Sequence, residues 1–257
     1  MIALLRTYWP HVIAFFMVVA YVISLRLSPP CVHTLAPPQP CPELPQVPLP
    51  TVAPLTVFPS QCTRLHINLG SNRDPPRPRD AETCILAVEP LFQTAMRIPP
   101  HERLFVLVAA MADKPGLRDF YVYNSADGQS SSLNPANASR REDWHDKPAD
   151  FPSRMIVSAI TLSDLLAAIP PSLRIAFLKT DLQGWDSVVL RSAGRAIERI
   201  AQIQAEVFQP HYRPYPDGPD NTFPELDLFF RQHGFAYSAT RSNNVSPDYV
   251  DAAWMRL

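Results

Sequence analysis

The sequence predicts an α/β domain with a mostly parallel, doubly wound sheet, placed after one transmembrane helix and a proline-rich stem. Three observations support this prediction. From Leu65 onward, short apolar runs alternate with segments of helical spacing, which is typical of strands joined by helices. Residues 12–25 are almost entirely apolar. The chain has 30 Pro but only 7 Gly, and eleven of the prolines fall between Pro29 and Pro59.

The N-terminal apolar segment, residues 9–25, reaches the short end of the length that crosses a membrane, and Trp9 and Tyr21 are typical interface aromatics. A buried core helix is one alternative, but a proline-rich stretch follows and offers nothing to pack on. A cleavable signal peptide is another, but two prolines follow Ala36 and make a poor cleavage site. We therefore predict an uncleaved signal anchor over residues 1–27.

Few charges determine the orientation of this anchor. Arg6 and the α-amino group precede the apolar run, Arg26 follows it, and the next Lys or Arg is Arg64. This bias predicts a single-pass membrane protein with a cytosolic N-terminus and its domain in the ER or Golgi lumen or outside the cell. Residues 28–60 favour extended polyproline II and form a stem, whereas an SH3 ligand is the less favoured alternative. Residues 61–257 form the domain.

The composition excludes several classes of protein. The chain has 23 Lys plus Arg and 24 Asp plus Glu, a net charge of −1, so no basic field exists to attract nucleic acid. Four Cys are too few for a disulfide-built miniprotein, and 7 Gly exclude collagen. Hydrophobic residues make up 46% of the chain, which is enough to form a hydrophobic core.

Apolar runs within residues 61–257 predict the strands in chain order. They are LHINLG ending at Gly70, CILAVEP ending near Glu89, RLFVLVAAMAD, LRDFYVYN, RMIVSAIT, RIAFLKTD ending at Asp181, AQIQAEVF ending near Glu206, and a terminal hairpin of FAYSATR and YVDAAWMRL. The predicted helices are LSDLLAAI with Thr161 or Ser163 as its cap, GWDSVVLRSAGRAIERI, and FPELDLFFRQHGF closed by Gly234.

Polar residues end four of these strands and predict a ligand site, because parallel sheets bind ligands at the carboxyl ends of their strands. They are Asn68, Gly70 and Asn72, then Glu89, Asp181 and Glu206. Glu89 matches the acidic position that accepts hydrogen bonds from ribose hydroxyls. The loop GSNRDPP lacks the G-x-G-x-x-G phosphate turn, so a cofactor without pyrophosphate fits better than NAD.

Five motifs then occur in order: HINLGSN, AVEP, FYVYNSADGQSSSL, LKTDLQGWDSVVLRSAG and IQAEVF. In these motifs the sequence resembles the FkbM-type family of S-adenosylmethionine-dependent methyltransferases, over residues 64–257. The fourth motif, a Leu-Lys-x-Asp-x-x-Gly signature followed by a helix, matches best.

The resemblance implies a Rossmann-like, seven-stranded methyltransferase sheet that ends in an antiparallel hairpin, with S-adenosylmethionine as cofactor. The cofactor-binding residues that it implies are Asn68, Gly70, Ser71, Asn72 and Glu89, with Glu89 at the ribose. It also implies that Asp181 is catalytic, because a carboxylate near the methyl-transfer site would orient the acceptor or take its proton.

The sequence departs from the family pattern at three places. Asn68 stands where the family usually has Asp, Asp74-Pro75 where it has a second Gly, and Gln183-Gly184 where it has Glu-Gly. Prolines at positions 75, 76 and 78 also block the helix that usually follows the first strand. These departures motivate a second hypothesis, a non-catalytic methyltransferase-like binding module.

We expect O-methylation of a hydroxyl-bearing acceptor, a small molecule or a glycan. His211 and Tyr212, in the loop QPHYRPYPDG, are candidates for acceptor contacts, and a proline-ordered surface loop is the alternative. A membrane-anchored glycosyltransferase shares the anchor, stem and domain layout and is a third hypothesis. The chain has no Asp-x-Asp motif, which such enzymes commonly use to hold a metal.

The cysteines leave alternatives open. Cys62 and Cys84 precede neighbouring strands; two free buried thiols are the favoured interpretation, although a bridge is conceivable in a lumen. Cys31 and Cys41 could pair with each other or between chains.

Polar segments add two further predictions. Residues 141–146 predict a solvated loop rather than a metal site. Glycosylation sequons begin at Asn137 and at Asn244.

Overall fold

The computed structural model describes residues 55–123, 128–135, 153–215, 217–244 and 246–257. The predicted signal anchor and nearly all of the stem lie outside these residues, as do Cys31, Cys41, Asn137 and residues 141–146. No helix within the described ranges is long and apolar enough to cross a membrane.

The strands of the described residues form two sheets. They are β1 (Arg64–Leu69), β2 (Thr83–Val88), β3 (Leu104–Leu107), β4 (Ala110–Met111), β5 (Gly116–Val122), β6 (Ser153–Ile160), β7 (Arg174–Thr180), β8 (Gln202–Phe208), β9 (Phe235–Tyr237), β10 (Asn243–Asn244) and β11 (Tyr249–Arg256).

The main sheet has the order β10-β11-β8-β7-β1-β2-β3, and β9 also pairs with β11. Five strands of this sheet are parallel to one another: β3, β2, β1, β7 and β8. Strand β11 runs antiparallel to β8, β9 and β10. The mostly parallel sheet and the terminal hairpin are therefore confirmed. The resemblance implies seven strands, but the main sheet has eight, because the 3₁₀ turn Ala239–Arg241 interrupts one edge and divides it into β9 and β10.

Three predicted strands belong elsewhere. The run RLFVLVAAMAD is divided, since β3 ends at Leu107 and Ala110–Met111 forms β4 of a second sheet with the order β4-β6-β5. The predicted strands LRDFYVYN and RMIVSAIT become β5 and β6, which pair antiparallel with each other. Leu117 and Ile156 of these strands are 59% and 70% exposed, so apolar residues here do not mark a central strand.

The described residues contain four α-helices; three lie in the predicted segments, with two refinements, whereas the short α1 was not predicted. They are α1 (Phe92–Ala95), α2 (Leu162–Ala168), α3 (Asp186–Ser192) and α4 (Phe223–Gln232). Thr161 rather than Ser163 caps α2, because its hydroxyl accepts a hydrogen bond from the Asp164 N–H at 3.0 Å. The predicted helix over residues 184–200 changes to a 3₁₀ helix at Gly194, where φ is +52°. No helix or strand lies between Leu69 and Thr83, as the prolines of that loop predict.

Cys62 and Cys84 form a disulfide with Cα atoms 5.7 Å apart, so the favoured interpretation of two free thiols is wrong. The physical reason is register: β1 and β2 are direct neighbours, and Cys84 pairs with Leu65. The chain that leads into β1 therefore passes beside Cys84. The bridge joins the amino ends of the two strands, opposite the edge on which the predicted site lies.

Candidate active site

The predicted strand-end residues lie in one row along the carboxyl edge of the main sheet. The register between neighbouring strands aligns these positions. Leu69 pairs with Val88 and with Thr180, Thr180 pairs with Ala205, and Glu206 pairs with Asp251. The row consequently runs Glu89, Gly70, Asp181, Glu206 and Asp251. Sequence reasoning missed Asp251, although a charged residue within an otherwise apolar strand was a usable signal.

An open cavity of about 1170 Å³ runs along this row. The loops after β1 and β2 and the segment Ala109–Met111 line one end, which we call the cofactor end. The ends of β7, β8 and β11 line the other, which we call the acceptor end. The volume exceeds that of a usual small-molecule pocket and has room for two ligands side by side.

Gly70 is the one position of the row where only glycine fits. Its φ is +74°, and a Cβ atom there would lie 1.9 Å from the carbonyl oxygen of Asp181. Its N–H donates to the carbonyl of Val88 at 3.0 Å. The absent side chain therefore allows the chain after β1 to approach the chain after β7.

Glu89 has a buried carboxylate that the chain itself holds in place. Its Oε2 accepts from the N–H of Asn72 at 2.9 Å, and its Oε1 accepts from the N–H of Leu91 at 3.0 Å. Burial raises the pKa of Glu89, and these two N–H groups partly counteract it. Each carboxylate oxygen keeps a further acceptor site, so the group fits a ligand with adjacent hydroxyls, such as a ribose.

The first loop brings its predicted cofactor residues together only in part. Gly70 and Asn72 line the cavity, and Asn72 has a φ of +48° that turns its N–H toward Glu89. Asn68 and Ser71 are buried and are not among the lining residues. The Ser71 hydroxyl donates to the Asn68 carbonyl at 2.8 Å, so these two residues support the loop from beneath.

Asp181 lies between two donors at the middle of the row. Its Oδ2 is 3.1 Å from Nζ of Lys179, and its Oδ1 accepts from Nε2 of Gln183 at 2.8 Å. Burial would lower the pKa of Lys179, but the neighbouring carboxylates outweigh it and raise that pKa, so Lys179 remains a cation. Lys179 was not predicted as a site residue, although a charge near the end of the apolar run RIAFLKTD was a usable signal.

Gln183 connects Asp181 to the wall of the cavity. Its φ is +52°, and its carbonyl accepts from the Ser132 hydroxyl at 2.8 Å. The Tyr215 hydroxyl lies 3.2 Å from Oε1 of Gln183 and 3.1 Å from the Ser130 carbonyl. The serine segment of the third motif and the loop after β8 thus meet over the acceptor end.

Asp186, the first residue of α3, is fully buried beneath this site. Burial raises its pKa to about 7, although the hydrogen bond from the Leu182 N–H acts in the opposite direction. Asp186 Oδ1 lies 3.2 Å from the N–H of Leu182, the residue after Asp181. The carboxyl therefore fixes the turn that carries Asp181.

Of the two residues predicted to contact the acceptor, one lines the cavity and the other does not. Tyr212 lines the cavity and packs edge-on against Phe208, with ring centroids 5.7 Å apart. His211 has a 65% exposed side chain, pairs with Asp248 at 3.1 Å and is not a lining residue.

One family model and several solved structures are similar to this chain. A family model described as the methyltransferase FkbM domain matches residues 70–237. Magnesium protoporphyrin IX methyltransferase (ChlM) of Synechocystis PCC 6803 with bound SAM is 5% identical, with 77% of this chain and 72% of that chain covered and a TM-score of 0.41.

Two further solved structures share the same level of likeness. Aeropyrum pernix fibrillarin with natively bound S-adenosyl-L-methionine is 10% identical, with 78% and 69% covered and a TM-score of 0.37. The N-terminal domain of EvdMO1 with SAH bound is 12% identical, with 78% and 76% covered and a TM-score of 0.36. No curated protein matches the chain.

Proposed function

Because this chain belongs to the FkbM methyltransferase family, we propose that it is a membrane-anchored, S-adenosylmethionine-dependent O-methyltransferase of a hydroxyl-bearing acceptor, such as a glycan. The observation that carries the proposal is the row of Glu89, Gly70 and Asp181 along one sheet edge within one cavity. A ribose-binding carboxylate and a proton-accepting carboxylate would thereby be held at the ends of β2 and β7, on either side of Gly70 after β1.

The cofactor of the family is S-adenosylmethionine, which supplies an electrophilic methyl group on a sulfonium. The donor set of the cofactor end fits it. Glu89 would accept hydrogen bonds from the ribose hydroxyls, and the chain at Gly70 and Asn72 would lie against the cofactor. Apolar Ala110 and Met111 line the same end and suit a flat aromatic base.

Asp181 is the residue that we assign to the acceptor. Its carboxylate would accept a hydrogen bond from the acceptor hydroxyl, orient the oxygen, and take the proton that this oxygen loses on methylation. Lys179 forms an ion pair with Asp181, and Gln183 holds its orientation. Tyr212 and Tyr215 line the acceptor end and would exclude water from it.

The proposal includes the subcellular location of the domain. We assign residues 1–27 to a signal anchor and residues 28–60 to a stem, with the domain in the ER or Golgi lumen or outside the cell. The Cys62–Cys84 disulfide supports this assignment, because such bonds persist mainly in oxidising compartments.

A non-catalytic binding module is the second candidate, and one observation favours it. Both oxygens of Asp181 already have partners in this chain, Lys179 and Gln183. In that case the acceptor end would bind its ligand without proton removal.

The test of the proposal is calorimetry of the full chain with S-adenosylmethionine, followed by incubation with labelled cofactor and a panel of free sugars. We expect binding at a dissociation constant below about 1 mM and label in an ether-linked methyl group. Folded chain that binds no cofactor would sink the methyltransferase proposal and favour the binding module, whereas bound cofactor would argue against the binding module.

A further inference from the structure

Glu206 is a buried carboxylate that the proposed mechanism does not use. It lies near the carboxyl end of β8, is 7% exposed, and belongs to the lining of the acceptor end. Its Oε2 is buried, and no hydrogen-bond donor in the described part of the chain reaches it. A buried acceptor without a donor costs free energy, so this atom indicates a missing partner.

The neighbours of Glu206 make the acceptor end negative. Asp251 pairs with it directly across the β8–β11 ladder, and Asp181 follows β7 at the same level. Lys179 lies among these three carboxylates, and it forms its ion pair with Asp181 at 3.1 Å. Three carboxylates against one ammonium leave an excess of negative charge in a partly buried site.

The pKa of Glu206 is consistent with this excess of negative charge. Burial is the largest cause that raises the pKa of Glu206, and the charges of three nearby carboxylates add to it while Lys179 opposes it. The titratable and charged groups that face Glu206 are Asp181, Asp186, Asp251, Lys179, Tyr215 and Tyr249. A bound cation would relieve this repulsion, whereas a neutral hydroxyl would leave it in place.

We propose that the acceptor end binds an ammonium group of the acceptor, held by Glu206 and Asp251, so that the acceptor is an amino sugar or another amino alcohol. An ammonium has three donors and can reach the free oxygen of Glu206 and the adjacent Asp251 together. Tyr249 and Tyr212 line the same end and offer aromatic faces, which attract cations. That the neighbouring hydroxyl is methylated rests on the proposed function; the ammonium site rests on the carboxylates.

The test uses the full chain saturated with S-adenosylhomocysteine, whose own binding is measured first by calorimetry. Two matched pairs of probes are then titrated, glucosamine against glucose and ethanolamine against ethylene glycol. The titrations are done below about pH 7, where both amines are protonated. We expect the amine of each pair to bind about tenfold more tightly than its hydroxyl counterpart.

Variants determine which residues produce this preference. Glu206→Gln and Asp251→Asn should each reduce it to about threefold or less, with circular dichroism confirming the fold. Glu102→Gln removes an exposed carboxylate beside Arg103 and should leave it unchanged.

The outcomes separate this inference from the proposed function. If S-adenosylhomocysteine binds but neither pair shows an amine preference, the ammonium site is wrong and the cofactor assignment stands. If the amine preference is present without cofactor binding, the ammonium site stands and the methyltransferase proposal falls. A preference that depends on added Mg²⁺ would also overturn the ammonium site, because the carboxylates would then be metal ligands.

Discussion

At the residue scale, Glu89 and Asp181 are both carboxylates at strand ends, but their surroundings differ. Glu89 is 5% exposed and accepts two backbone N–H groups, which fix it as a rigid acceptor. The side chain of Asp181 is 30% exposed, and its partners are the side chains of Lys179 and Gln183. A rigid acceptor suits cofactor binding, whereas a carboxylate that can exchange partners suits proton transfer.

This difference predicts opposite kinetic signatures for two variants. Glu89→Ala should weaken S-adenosylmethionine binding about tenfold or more, because it removes charged hydrogen bonds. Asp181→Asn should lower kcat by about 10²-fold or more while affinity for the cofactor changes little. Calorimetry and steady-state rates on the full chain measure both. Equal effects of the two variants on affinity would contradict the assignment.

Asp186 gives a prediction about pH. Folding raises its pKa from 3.8 to about 7, so between these values the folded state binds a proton that the unfolded state has released. Stability therefore falls as pH rises through this window. Asp186→Asn removes this loss, and its stability relative to the natural chain should rise by up to about 2.5 kcal/mol between about pH 5 and pH 8.

Urea unfolding of the natural chain and of Asp186→Asn across that pH range measures the difference. Asp113→Asn, at an exposed carboxylate, is the matched control and should give a curve parallel to the natural chain. A parallel curve for Asp186→Asn as well would show that Asp186 is ionised alike in both states.

At the element scale, the disulfide fixes the pairing of β1 with β2 at the end away from the site. The cysteines are 22 positions apart, and the segment between them contains all of β1 and the loop with Gly70 and Asn72. That loop has no helix to stabilise it, since its prolines prevent one. The covalent bond therefore compensates in part for a missing element.

Removal of this bond should destabilise the domain. Cys62→Ser with Cys84→Ser should lose about 3 kcal/mol of unfolding free energy, because the unfolded chain regains the entropy of an open loop. Denaturant unfolding measures the loss, and natural chain treated with reductant should match it. Cys31→Ser with Cys41→Ser is the control and should leave domain stability unchanged. An unchanged midpoint for the Cys62 and Cys84 variant would refute the role given to the bridge.

At the scale of the whole molecule, the proposed place of the domain beyond a membrane is open to a direct test. Translation of the full chain in the presence of microsomes should give a membrane-bound product with a glycan at Asn137, because a lumenal domain exposes that sequon to the glycosylation machinery. Gel mobility before and after glycosidase treatment measures it. Asn137→Gln together with Asn244→Gln should abolish the shift, and a membrane-bound, unglycosylated chain that added protease degrades would place the domain on the cytosolic side.

The sequence by itself predicted the α/β class, the parallel strands, the hairpin and the edge that carries the site. These features follow from local periodicity and from the polar residues that end buried strands, such as Glu89 and Asp181. It also predicted that prolines 75, 76 and 78 exclude a helix, because that effect is local.

Tertiary structure alone decided which strands are neighbours. The second sheet of β4, β5 and β6, the Cys62–Cys84 bridge, and the meeting of Asp251 with Glu206 all depend on pairing between residues distant in the chain. Periodicity shows that a segment is a strand and which face is apolar, but pairing energies are spread over whole sheets. For that reason the sequence located the cofactor end, while the charge of the acceptor end became visible only when β8 and β11 lay side by side.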